Sequence, residues 1–344
     1  MQAVILKNKG VMEVAEVETP TPAAGNVLLR VHASSICGSD IHRYVRGHRE
    51  YPMILGHESA GVIAQVGAGV SADKLGKHAA IIPLVPCFEC PQCQRGLYSA
   101  CQKYSFIGSR RAGGFAQFVE LPERNAFIIP DELSFEDAAL IEPSTVARHF
   151  LDRGGFMRGQ TALVLGAGSI GLMTVQWLRI LGASQIFCSD VVDENLQAAR
   201  ELGAHITLNA KQVDVAAEVK RLTGDGVDVA LEVAGVPQTL AQAVQAARPR
   251  GAVVCGGNQP LDASLPMALI EEMMRKELSM NGCFMSYSAP FPGHEWTETV
   301  TALMNGGLRM PPMISHRFPL SQTPSVFKQI GEHALSHRKI ILKP

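Results

Sequence analysis

In the first part of the chain, apolar residues come in short β-rich runs, Val4 to Leu6, Val11 to Val17, Val27 to Val31 and Ala60 to Val66, bounded by Gly, Pro or Asn. Between two of them, Thr19-Pro20-Thr21-Pro22-Ala23-Ala24-Gly25 is turn chemistry. Such punctuation predicts a mostly antiparallel β domain. The pattern then changes. Thr161 to Leu165, Gln185 to Ser189, Ile206 to Leu208, Val227 to Glu232, Ala252 to Cys255 and Leu278 to Gly282 read as short buried strands. Helical spacing over Ile170 to Leu181, Glu194 to Leu202 and Thr239 to Ala247 separates the earlier ones, which implies a parallel, doubly wound sheet. Trp296 to Asn305 and Phe327 to His333 carry helical spacing again, and Lys339 to Leu342 reads as a closing strand.

With 344 residues, 47% hydrophobic and 18% charged, the chain suits two packed domains and no long disorder. Its formal net charge of -1 offers no field for nucleic acid or an anionic membrane, so the expected partners are small molecules. The apolar run in Met1 to Gly10 is too short for a secretory signal, and a cytoplasmic location is expected. The uncharged window from Thr161 to Leu178 contains Gly166, Gly168 and Gly171, so a buried βα unit explains it better than a membrane span. Eight cysteines in a long chain without a signal, four of them between Cys87 and Cys101, point to metal rather than disulfides.

Two stretches carry metal chemistry. Ile36-Cys37-Gly38-Ser39-Asp40-Ile41-His42 and Leu55-Gly56-His57-Glu58-Ser59 offer a thiolate, an imidazole and a carboxylate, three ligands that leave zinc a fourth position open. The plainer alternative is a buried Cys and a satisfied core His. Both stretches flank β runs and are expected on loops of a rigid scaffold. Cys87, Cys90, Cys93 and Cys101, spaced C-x2-C-x2-C-x7-C, can close a tetrahedral shell with no opening, which makes that site structural. Four unrelated thiols or an iron-sulfur cluster are the alternatives.

After the first strand of the second half comes Gly166-Ala167-Gly168-Ser169-Ile170-Gly171, a G-x-G-x-x-G leading into a helix. Its glycines serve a tight turn, a close approach to pyrophosphate and helix-on-strand packing. Asp190 follows nineteen residues past Gly171, at a strand end, where a carboxylate accepts from ribose hydroxyls and repels a 2′-phosphate. NAD is therefore expected over NADP.

Together, the Cys37-to-Glu58 pattern, the four-Cys lobe and the dinucleotide motif resemble the zinc-dependent medium-chain dehydrogenases along essentially the whole chain. Pro86-Cys87-Phe88-Glu89-Cys90-Pro91, Phe106-Ile107-Gly108-Ser109-Arg110-Arg111 and Tyr287-Ser288-Ala289-Pro290-Phe291-Pro292-Gly293 resemble the polyol dehydrogenase branch, including its members that act on sugar-alcohol phosphates. The resemblance implies a GroES-like catalytic domain over 1–150 with a structural-zinc lobe at 87–101, a Rossmann domain over 151–290, and a return to the catalytic domain over 291–344. It also implies one catalytic and one structural zinc, NAD, and a homodimer joined through cofactor-domain strands.

By the same resemblance Cys37 and His57 hold the catalytic zinc, with Glu142 or Glu58 as third ligand. Ser39 takes the substrate proton, His42 carries it onward and Asp40 orients the ligands. Arg110 or Arg111 is expected to read a substrate phosphate, with His48 or Arg49 in reserve; in extended chain only one of the pair can face the substrate. Lys339 is expected either to reach the pyrophosphate or, more simply, to be solvated. The activity implied is oxidation of a secondary alcohol of a sugar-alcohol phosphate. The rivals are an unphosphorylated polyol of the sorbitol or iditol type, threonine, and a dinucleotide-binding protein without catalysis.

Overall fold

The computed structural model describes residues 1–259 and 264–344. It divides into two units, one of residues 1–142, 287–304 and 310–344, the other of 143–286 and 305–309.

The first unit is built on a seven-stranded sheet. Strand Asn26–Ser35 pairs antiparallel with Glu58–Val66 on one side, and His78–Ile81 and Ala126–Ile128 continue the sheet in the same sense. Phe118–Pro122 pairs antiparallel with the start of Asn26–Ser35, and Lys339–Lys343 with its end. Alternation explains the buried face: Val27, Leu29 and Val31 pack with Ile63, Ile81 and Val119. The antiparallel character matches the expectation from the short runs. Periodicity alone did not identify Ile314–Pro319, which pairs parallel with Lys339–Lys343, because its apolar residues are interrupted by His316 and Arg317.

The second unit carries six parallel strands in the spatial order Ile206–Asn209, Gln185–Asp190, Thr161–Leu165, Val227–Glu232, Ala247–Cys255, Ser279–Gly282. The middle of its central strands is apolar and buried, Ala162 to Leu165 and Val229 to Leu231, as a sheet covered on both faces requires. All six predicted strands are present, so the α/β expectation of a GroES-like antiparallel domain plus a Rossmann sheet holds. Among the described residues no helix is long and apolar enough to cross a membrane.

Candidate active site

Sheet register brings the first cluster together. Ser35 pairs with Glu58 on one side and with Ile341 on the other, so one strand ends just before Cys37 while its two neighbours begin at Glu58 and Lys339. Cys37 Sγ, a His57 ring nitrogen and a Glu58 carboxylate oxygen lie within 4.8 Å of one another. His57 and Glu58 are buried and Cys37 is half-buried. The loop placement expected for these residues holds for His57 and needs correction for the other two. Cys37 caps the helix Gly38–Arg46, its sulfur accepting from the Ser39 backbone N–H, and Glu58 opens a strand. Gly56 turns the chain into His57 at φ +93°, and a Cβ there would stand 2.4 Å from the Phe115 ring.

Asp40, fully buried, accepts the Cys37 backbone N–H at 3.1 Å and turns its other oxygen toward His57 Nδ1 at 3.5 Å. That pair falls short of a hydrogen bond, and neither buried atom makes one to another group, although Arg43 also stands 3.6 Å from the same Asp40 oxygen. Burial opposes charge on both groups, yet mutual attraction raises the His57 pKa well above its ordinary value and lowers that of Asp40. A carboxylate behind Nδ1 leaves Nε2 for a metal, so the donor set fits zinc.

Arg43 Nη1 donates to Ser39 Oγ at 2.7 Å and lies 3.6 Å from Asp40. His42, on the same helix, lines an open cavity of about 520 Å³ with His333 and His337. Burial, then Arg46 and Arg43, push its pKa below the ordinary value, which favours a neutral imidazole able to take a proton. Glu142, at the start of the helix Ile141–Arg153, is buried, and burial pushes its carboxyl up to about 7, with Glu58 adding to the rise. The expectation of a solvated Lys339 is overturned. Its side chain is 3% exposed and its Nζ lies 2.6 Å from both Glu58 oxygens, because the strand it opens is internal to the sheet.

Cys87, Cys90, Cys93 and Cys101 come together as their spacing predicted, with all four sulfurs within 4.8 Å of one another. The contacts Cys87–Cys93 at 4.0 Å, Cys90–Cys101 at 3.9 Å and Cys87–Cys101 at 3.5 Å bracket the roughly 3.8 Å between sulfurs around a tetrahedral zinc with ~2.3 Å bonds. The backbone N–H groups of residues 93 and 102 pull the Cys90 thiol down to about 6, toward the thiolate a metal needs. The lobe rests on the segment that returns to this unit: Phe291 packs edge-on against Phe88 and Tyr98, each at 5.4 Å. Gly96 abuts Ala289 so closely that a Cβ would fall 2.7 Å from it.

In the second unit, Gly166 lies at φ +104°, and a Cβ on Gly171 would fall 1.8 Å from the Gly166 carbonyl, so helix Ser169–Ile180, with Ile170 in its first turn, packs directly on the turn. Gly168 caps that helix and faces open space, the opening a pyrophosphate needs at a helix N-terminus. Asp190 accepts from the backbone N–H of Ala167 at 2.6 Å, and from those of Val191 and Val192 at 2.8 and 2.9 Å. It therefore braces the glycine turn. The residues fit a dinucleotide.

Arg110 and Arg111 occupy a tight turn rather than extended chain, since residues 109, 110 and 111 all direct their N–H to the Phe106 carbonyl. The turn sits against the metal cluster, with the Phe106 and His57 rings 5.5 Å apart and Gly114 N–H on the Gly56 carbonyl at 2.8 Å. Arg110 stacks on Tyr104 at 3.7 Å and donates to its carbonyl at 2.6 Å, while the Arg111 charge acts on Glu120. His48 meets the Ser109 carbonyl at 2.8 Å, and Arg49 lies exposed beside Glu50 at 3.8 Å. Arg43 and Lys339 are the polar contacts that sequence reasoning missed. Arg43 could have been found from its i+4 spacing to Ser39 had the helix been recognised.

Residues 23–131 match the alcohol dehydrogenase GroES-like domain and residues 169–305 the zinc-binding dehydrogenase family. The chain is 35% identical over 347 residues to galactitol 1-phosphate 5-dehydrogenase of Escherichia coli (strain K12), covering 99% of this chain and 100% of that one. It is 33% identical to sorbitol dehydrogenase of Bacillus subtilis (strain 168), covering 100% and 97%. The crystal structure of galactitol-1-phosphate dehydrogenase from Escherichia coli superposes with a TM-score of 0.95 at 36% identity, covering both chains fully. A zinc-binding dehydrogenase from Sinorhizobium meliloti 1021 bound to NADP superposes at 0.91 with 31% identity, and rspB from E. coli CFT073 complexed with NADH at 0.91 with 29%; each comparison covers 100% of this chain and 99% of the other.

Proposed function

The chain belongs to the zinc-dependent medium-chain alcohol and polyol dehydrogenases, and on that premise we propose that it oxidises a secondary alcohol of a sugar-alcohol phosphate to the ketose phosphate with NAD. The observation that carries the reading is the Cys37–His57–Glu58 cluster with the Ser39 hydroxyl on the same helix start, in a chain aligned end to end with a galactitol 1-phosphate 5-dehydrogenase.

When bound, zinc supplies a Lewis acid for the alcohol oxygen and the dinucleotide a hydride acceptor. Cys37 and His57 hold the metal with a carboxylate. Lys339, on both oxygens of Glu58, supports Glu142 as the third ligand with Glu58 beside it. Asp40 orients His57. Ser39 accepts the alcohol proton and the neutral His42 receives it onward. Residues 1–150 and 291–344 form the catalytic domain, and 151–290 bind the cofactor through Gly166, Gly168, Ile170, Gly171 and Asp190. Cys87, Cys90, Cys93 and Cys101 hold the structural zinc. Arg110 or Arg111 meets the phosphate, which the position of their turn against His57 supports.

An unphosphorylated polyol is the second reading. It is favoured by the engagement of Arg110 with Tyr104 and by the similarity to sorbitol dehydrogenase. A panel of hexitols and hexitol phosphates with NAD, followed by NADH absorbance, decides. Higher kcat/KM on the phosphates is expected, and equal or lower values overturn the phosphate reading. The pairing of two copies is proposed through strand Ser279–Gly282, which ends the sheet among the described residues, with Met280 40% and Phe284 62% exposed nearby.

A further inference from the structure

We propose that Arg43 is a positioning residue for the proton-accepting hydroxyl of Ser39; the inference rests on the reading above that Ser39 takes the substrate proton. Arg43 Nη1 stands 2.7 Å from Ser39 Oγ. A guanidinium only donates and keeps its charge at any working pH, so this bond has one direction and Oγ is the acceptor. A serine oxygen has two lone pairs and one hydrogen. With one lone pair taken, the hydrogen is turned away from Arg43, and one lone pair remains for the incoming alcohol proton.

That arrangement is what a relay needs. As hydride leaves the carbinol carbon with both C–H electrons, the alcohol proton passes to Ser39 Oγ while the serine's own proton moves on to His42 or water. The hydroxyl is regenerated, and one proton reaches solvent for each hydride transferred. A Ser39 side chain free to turn about its Cα–Cβ bond would spend part of its time with Oγ away from the alcohol, and those orientations are unproductive; the Arg43 bond holds Oγ in one place.

The local fold explains why Arg43 reaches this place. Ser39 and Arg43 are four residues apart on helix Gly38–Arg46 and share a face. An arginine in a last turn ordinarily serves the negative end of its own helix, but Arg43 reaches back toward the N-terminus, leaving Arg46 for that role. Its Nη1 is also 3.6 Å from the buried Asp40, which itself faces His57 at 3.5 Å. Arg43 is only 23% exposed. The proton acceptor and the zinc-binding imidazole are thereby tied to one buried carboxylate.

A double-mutant cycle on the zinc-loaded, full-length enzyme tests this, with kcat in H2O and D2O, KM, NADH binding by fluorescence and zinc content read for Ser39→Ala, Arg43→Met, Arg43→Lys and the Ser39→Ala/Arg43→Met pair. Arg43→Met is expected to lower kcat by about ten- to a hundredfold, the worth of a charge-assisted hydrogen bond. It should raise the solvent isotope effect while KM, NADH binding and zinc content hold, and Arg43→Lys should recover part of the loss. In the Ser39→Ala background the Arg43→Met loss should vanish. Undiminished loss in that background, or an unchanged isotope effect, overturns the inference while leaving Ser39 as proton acceptor. An unchanged kcat in Ser39→Ala alone removes the proton-acceptor reading, and the inference with it. If Arg43→Met fails to fold, Arg43→Gln completes the cycle.

Discussion

Lys339 Nζ lies 2.6 Å from each carboxylate oxygen of Glu58, and the two side chains are 3% and 1% exposed. Burial opposes the lysine's charge, but Glu58, followed by Cys37, holds its pKa above the ordinary value. The pair places one fixed positive charge among the acidic groups Cys37, Glu58, Glu142 and Asp40. Removing it should be felt. Lys339→Met leaves Glu58 a buried carboxylate without its cation, and a loss of about 3–5 kcal/mol in unfolding free energy is expected. Lys339→Arg should lose less. Urea unfolding with zinc content measured alongside checks this, and a change within experimental error for Lys339→Met would sink it.

The two metal sites should separate by phenotype. Cys37→Ser should lower kcat on the order of a thousandfold, since a polarising metal contributes several kcal/mol to the reaction, while the thermal midpoint changes little. Cys93→Ser should lower the midpoint first, because its sulfur belongs to a closed shell in a lobe with few aliphatic contacts. Metal analysis should find two zinc ions per wild-type chain and one in each variant. Two variants with wild-type activity and stability would dismiss the assignment.

Asp190 should matter in two ways. Its carboxylate braces the backbone at Ala167 and, on the proposed function, accepts from the ribose hydroxyls. Asp190→Ala is expected to raise KM for NAD by about tenfold, the worth of a hydrogen bond or two, and to narrow the preference over NADP. A wild-type enzyme that uses NADP as well as NAD would contradict the assignment.

Arg110→Ala and Arg111→Ala should divide the substrate question. Loss of a phosphate contact worth about 1.5–3 kcal/mol lowers kcat/KM on a hexitol phosphate by one to two powers of ten and leaves the parent hexitol almost unchanged. The same fall on both substrates would assign the arginines to structure, which their turn beside His57 makes a concrete alternative.

Met280→Glu should yield a monomer by light scattering where the wild type is a dimer. The substitution puts a charge on the sheet's end strand, in the line of approach of a second copy. A wild-type monomer would end the dimer proposal.

The four-cysteine loop and the glycine turn were legible because their signals are short in range. C-x2-C-x2-C-x7-C closes in one loop, G-x-G-x-x-G in one turn, and the alternation of apolar runs with helical spacing marked all six strands of the parallel sheet. The helix Gly38–Arg46 escaped because it is only nine residues long, mostly polar and opened by a glycine, so the segment read as a ligand loop although Ile41, Tyr44 and Val45 carry helical spacing. Without it, Arg43 was one more surface arginine.

What the sequence determined by itself was a list of chemically able residues: Cys37, His57, Glu58, the four-cysteine loop, the glycines of the turn and Asp190; Ser39 and Glu142 joined it only through the family resemblance. Which charge faces which was decided by tertiary structure. Lys339 stands 281 positions from Glu58, in a run that reads as an ordinary strand ending in basic residues. Only the pairing of Lys339–Lys343 beside Asn26–Ser35, which itself pairs with Glu58–Val66, removes both groups from water and joins them. The energy of a charge depends on its solvent and its partner. Neither is a local property of the chain, so neither can be read from spacing.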